Sequence, residues 1–173
     1  MNHQESLLLQ TKNTYDWSEK LIQSVPYSTW NQMPQVLDTH LSWQVGHLIS
    51  SIYFHTIMQL KGHDAETMGQ IPLREYSMYF GYNEEPRRSI HKYSPEELWE
   101  NLVFVQKKSL ETISGLSKED LTSPVERARV HNPVAKTKSE VIAWNIQHCW
   151  WHYGQIGIIK RVIDRRFDFG VLE

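Results

Sequence analysis

NIQHCWWHYGQIGIIK, residues Asn145–Lys160, contains no proline and sets His148 and His152 four positions apart beside Trp150 and Trp151. At ~100° per residue, a helix brings the two imidazoles to within ~40° of each other on one side. Val141, Trp144, Trp151, Gln155, Ile159 and Val162 share that side, the most apolar that the helix has. Both rings are therefore expected to face the interior. An i, i+4 pair of imidazoles can chelate one metal ion, as in zinc proteases, whose helix carries a glutamate directly after the first histidine. Cys149 occupies that position here, so the protease reading fails.

Gly154 and Gly157 fall on the opposite side of the same helix with Trp150 and Arg161. Glycine disfavours a helix interior by about 1 kcal/mol relative to alanine. Small residues there permit close approach of another helix, from this chain or from a partner. This side is expected to be buried against one.

Working outward, Thr137 and Glu140 form a capping box that starts the helix, which should run to about Ile163. A second box, Ser94 with Glu97 and with Pro95 at the first helical position, opens a helix running to about Gly115. A third helix should begin at Asp38 or Thr39 as N-cap and continue to Gly62. The first runs from about Glu5 to Val25, with Leu8, Tyr15, Leu21 and Ile22 among its apolar positions and Pro26 ending it. The connection from His63 to Tyr93 is too long for a tight turn and should hold a short helix near Leu73–Phe80. Another irregular stretch, Thr122–Lys136, precedes the last helix. No strand-like alternation is sustained, so the expectation is an all-α four-helix bundle forming a single domain over residues 1–173.

Composition narrows the setting. The chain has 173 residues, 40% hydrophobic and 22% charged, which suits one globular domain with a sizeable core. A net charge of −2 with no long basic run argues against nucleic acid as a partner. No stretch approaches the ~20 apolar residues of a membrane span, and the N-terminal residues do not read as a secretory signal. The single cysteine, Cys149, excludes an internal disulfide and suits a reducing, cytoplasmic location. Seven tryptophans must fill a core, a pocket or an interface.

A metal site needs a third ligand, and His47 offers one. Trp43, Phe54 and Met58 lie on its side of the helix, while Leu41, Val45, Leu48 and Ile52 form a second apolar strip. A helix apolar on two sides sits deep, so His47 should be buried. Three histidines from two helices would leave a fourth position open, typical of catalytic zinc sites. Histidines satisfied by hydrogen bonds in a core are the alternative that the residues alone leave standing. His40 reads as a solvent-facing cap or a pocket-mouth residue, and His55 as packing or surface. His3, His63, His91 and His131 lie in the terminus or in loops, where exposure is expected. Cys149 points ~100° away from His148 with no cation beside it, which favours a small buried hydrophobe over a nucleophile. Gln155 can orient a ligand or bond a bound substrate, or it is a polar residue at the bundle's end. Arg87 and Arg88 can bind an anion but are more often solvated.

WQVGHLI (Trp43–Ile49) and HCWWHYGQIG (His148–Gly157), on helices of this length and spacing, resemble the DinB-like (damage-inducible) superfamily of metal-binding bundles, related to the bacillithiol and mycothiol S-transferases. The resemblance implies His47, His148 and His152 as ligands of a divalent nickel, zinc or iron ion with open positions. It further implies an up-down-down-up bundle and a homodimer. Related iron-dependent sulfoxide synthases carry a glutamate two residues after the second helical histidine, where this chain has Gly154, so their chemistry is not expected. The activity implied is transfer of a small thiol to a small electrophile, with Trp43, Trp144 and Trp151 walling the pocket. Metal-dependent hydrolysis and a non-catalytic metal-binding stress-response module are the alternatives.

Overall fold

Each long helix begins where a side chain satisfies the orphan N–H groups of its first turn. The computed structural model describes residues 2–126 and 132–170. In chain order its helices are α1 (His3–Gln23), α2 (Leu41–Tyr53), α3 (Gln59–Lys61), α4 (Ala65–Gln70), α5 (Leu73–Phe80), α6 (Pro95–Ser114), α7 (Lys118–Thr122) and α8 (Lys138–Ile163). Phe54–Met58 forms a π-helical turn that carries α2 into α3. Among the described residues there is no strand, only an isolated bridge between Pro124 and Thr137. The fold is all-α. No helix of the described residues is long and apolar enough to cross a membrane.

The capping boxes at Ser94/Glu97 and Thr137/Glu140 form as read, and a third at Asn2/Glu5 starts α1 two residues earlier than expected. At α2 the cap is neither Asp38 nor Thr39 but His40, whose Nδ1 accepts from the Trp43 N–H. Its other ring nitrogen bonds the Pro86 carbonyl at 3.0 Å. His40 is therefore wholly buried, facing neither solvent nor a pocket mouth. The two short helices α4 and α7 were not expected. Asp64 and Ser117 start them by accepting from the N–H of Thr67 and of Asp120.

Packing puts α2 at the centre. It lies against α5, α6 and α8, and α1 lies against α6 and α8. Leu41 to Ile49 are all buried, as the two-sided apolar pattern requires. Gly46 decides how closely α5 can approach, because a Cβ there would stand 2.5 Å from the Phe80 ring. Phe80 is fully buried, and its ring also packs against Tyr76 and Tyr93. Gly46→Ala should therefore destabilise the fold by about 1–3 kcal/mol, as overpacking does, although alanine is the better helix former. Urea unfolding would show a lower midpoint; an unchanged or higher one would contradict this packing.

The Trp150 side of α8 departs from expectation. Trp150 is 46% exposed, and a Cβ at Gly154 or Gly157 would meet nothing within 4 Å. Among the described residues no helix covers this side. A groove remains instead, bordered by Trp17 and Leu21 of α1 and by Phe167 and Phe169 beyond α8. Isolated glycines in α8 thus reflect open space rather than close packing.

Candidate metal centre

His47 of α2 and His148 and His152 of α8 come together, with one ligand nitrogen from each within 4.8 Å of the others. Among the described residues this is the group of histidine, cysteine and carboxylate side chains that can hold a metal ion. The His148 and His152 Nε2 atoms are 3.2 Å apart. Two nitrogens on a tetrahedral zinc, each at about 2.0–2.1 Å, stand about 3.3 Å apart. The spacing suits a shared ion.

Hydrogen bonds on the far side of two rings fix which nitrogen is free. The His47 Nδ1–H donates to the Phe80 carbonyl at 2.7 Å. The His152 Nδ1–H donates to Gln44 Oε1 at 2.6 Å. Gln44 in turn uses its amide N–H groups on Thr39 Oγ1 and Gln155 Oε1, so its oxygen is the acceptor and the His152 tautomer follows. With both Nδ1 atoms protonated, both Nε2 atoms carry lone pairs. Such outer partners orient and strengthen metal-ligating histidines. The Nε2 atoms of His47 and His152 are thus the ones free to ligate.

Burial lowers the pKa of His47, opposed by its bond to the Phe80 carbonyl. Burial, reinforced by His47, holds His148 down to about 4. The same two causes, with His148 added, bring His152 to about 2. All three rings are neutral at pH 7, the form that binds a metal. Cys149 is fully buried, and burial pushes its thiol up to about 12, so it is no nucleophile.

The four pocket residues expected around the cluster lie differently. Trp43 stacks on His47 with ring centroids 5.0 Å apart. Trp144 packs 5.9 Å from His148 and meets Trp151 edge-on, but Trp151 is 65% exposed. Gln155 is held by Gln44, one hydrogen bond removed from His152. None of the four lines the cavity beside the cluster. That cavity, about 690 Å³, is bordered by His47, Tyr53, Phe54, His55 and Met58, with Leu73 and Phe80 of α5 across from them. Trp151 points to solvent from α8, whereas the long connection folds α5 over α2 and encloses space there.

Sequence reasoning missed Gln44, which sits in WQVGHLI one turn before His47 and carried a readable signal in that position. It did not connect His55 or His63 with the cavity. The π-helical turn begins at Phe54 and underwinds the helix, so His55 stands 5.3 Å from His148, half-buried and facing the cavity. His63 is exposed as expected, yet it bonds the Tyr53 hydroxyl at 3.0 Å and borders the same cavity. Arg88 pairs with Glu84, and Arg87 is exposed. His131 lies outside the described residues.

Gln44→Ala should cost ten- to hundredfold in metal affinity, the range for losing an outer partner of a ligating histidine. Competition titration with a chromogenic chelator would measure it. Unchanged affinity would show that the bond to His152 contributes nothing.

No curated protein matches the chain. The DinB superfamily profile matches residues 10–156, most of the chain and all three converging histidines. All-α among its described residues, with the three histidines inside the matched region, the chain belongs to the DinB superfamily.

Proposed function

We propose that His47, His148 and His152 hold a divalent transition metal, nickel, zinc or iron, and that the protein is a cytoplasmic metal-dependent S-transferase joining a small thiol to a small electrophile. The observation that carries this reading is the pair of Nε2 lone pairs, fixed by Phe80 and Gln44, that point with His148 to one place beside a cavity. Three protein ligands leave a position open, as catalytic sites do. A bound divalent ion lowers the pKa of a thiol from about 8.5, so that thiolate predominates at neutral pH.

The chain's own residues supply the rest. Phe80 and Gln44 hold the rings in register before substrate arrives. Trp43 covers one face of His47 and excludes water from it. The apolar walls of the cavity, Phe54 and Met58 among them, take up the body of a substrate. In the reaction the thiol proton passes to water, the sulfur bonds to the electrophile's carbon, and the carbon–leaving-group bond breaks as the leaving group departs with its electron pair.

The four long helices are part of the same proposal. α1 against α6 and α8, with α2 against α6 and α8, fits an up-down-down-up bundle. The exposed Trp150, Trp151, Ile158 and Val162 along α8 support the homodimer.

Elemental analysis of protein purified without a metal-affinity tag should return about one transition-metal ion per chain. The loaded protein, given a panel of cellular thiols and monochlorobimane, should conjugate at least one thiol well above background. Acceleration of ester or amide hydrolysis alone would replace this reading with hydrolysis. Inactivity across both panels, with metal bound, would leave a non-catalytic metal-binding module.

A further inference from the structure

The cavity beside His47 is larger than a thiol group needs, and its lining is uneven in charge. Phe54, Met58, Leu73 and Phe80 make its walls largely apolar. Besides histidines, two charged side chains border it, Arg74 and Glu126. Glu126 accepts from Lys138 Nζ at 3.1 Å, which offsets its charge. Arg74 makes no ion pair among the described residues. Arg74, an exposed side chain at the cavity's edge, is thus the bordering cation without an ion pair among the described residues.

We infer that this cavity binds a small amphipathic carboxylate, with Arg74 gripping the carboxylate, the apolar walls holding its body and its other end at the histidine cluster. A guanidinium matches a carboxylate in a two-pronged hydrogen-bonded pair, which gives direction as well as affinity. Next to apolar walls that pairing is screened less than on an open surface.

One helix sets both ends of the site. Arg74 is the second residue of α5 and Phe80 its last. The Phe80 carbonyl holds His47, and its ring is seated against Gly46. Six residues at ~1.5 Å rise set their backbones ~9 Å apart along the helix, so Arg74 and Phe80 stand at opposite ends of α5. Applied to the proposed reaction, on which this step rests, the substrate bound here carries its acid group at the end away from its reacting atom. The carboxylate site itself does not depend on that reaction.

Calorimetry on the metal-loaded full chain tests the inference with phenylacetate and its neutral counterpart phenylacetamide. Phenylacetate should bind at least tenfold more tightly than phenylacetamide. Arg74→Gln should bring the two within about twofold while leaving phenylacetamide unchanged, and Arg74→Lys should keep part of the preference. Equal binding to the unaltered protein, or no binding of either at millimolar concentration, would overturn the carboxylate site. A preference that survives Arg74→Gln but vanishes when the metal is removed would overturn it too, by placing the carboxylate on the metal. Thiol transfer enters none of these affinities, so failure of the proposed reaction and failure of this site are told apart.

Discussion

His152→Ala should reduce metal affinity by more than the ten- to hundredfold expected for Gln44→Ala, because it removes a ligand rather than the residue that orients it. His152 is the ring most completely fixed, with its Nδ1–H on Gln44 and its Nε2 3.2 Å from that of His148. Loss of metal carries a stability cost for the loaded protein. An ion held by the three histidines would join α2 to α8, which are distant in sequence, and a ligand at a thousandfold its Kd stabilises the native state by about 4 kcal/mol. The unaltered protein should therefore melt markedly higher with metal than after treatment with a strong chelator. The His152→Ala protein should melt at one temperature in both conditions and stay helical by circular dichroism. An equal metal-induced shift in the variant would exclude His152 as a ligand. Unfolding of the variant would make the measurement uninformative for His152, and His148→Gln, at a ring less deeply buried than His152, would then carry the same test.

Much of this arrangement was legible because local chemistry and global packing agreed. Ser94 with Glu97 and Thr137 with Glu140 fixed two helix starts by side-chain bonds that depend on three-residue spacing alone. The i, i+4 spacing of His148 and His152 survives folding unchanged, since α8 is regular through both residues. His47 followed from the two apolar strips of α2. What failed depended on neighbours brought from afar. His40 is buried because Pro86 and Ser89 close over it, and nothing local announces that contact. His55 packs, as one of its two readings had it, but its place at the cavity, just inside the π-helical turn that starts at Phe54, is not visible on an α-helical wheel. The tryptophan pocket failed because the apolar side of α8 is wider than the surface that α2 covers, which leaves Trp151 outside. The cavity lies instead under α5, a helix that was read correctly but whose docking on Gly46 needs the tertiary fold.

Metal-free protein should lose stability steeply as pH falls from about 6.5 toward 4. In the folded state burial, with neighbouring histidines adding to it, holds His55 at about 3, His148 at about 4 and His152 at about 2. In the unfolded chain each returns to about 6.5. Between these limits the unfolded chain binds protons that the folded protein refuses. Unfolding therefore takes up protons, stability rises with pH, and acid removes it. Each fully responding histidine contributes a slope of about 1.4 kcal/mol per pH unit, so the three approach about 4 kcal/mol per unit near pH 5. His40 and His47, also lowered by burial, act in the same direction. A domain stabilised by about 5–15 kcal/mol does not withstand two such units with much to spare. Carboxylates with lowered pKa, such as Asp64 and Glu140, also lose stability on acidification, but only nearer their own ordinary range around pH 4. The histidine effect is thus visible first, between pH 6.5 and 5. Urea midpoints of chelator-treated protein at half-unit steps would trace it, and His55→Gln should make the profile shallower by about one histidine's slope. Metal, which binds the neutral rings, should move the whole acid transition to lower pH. A midpoint that stays flat from pH 6.5 to 5 would mean that these rings already exchange protons with solvent, and that the cluster is far more open than its burial implies.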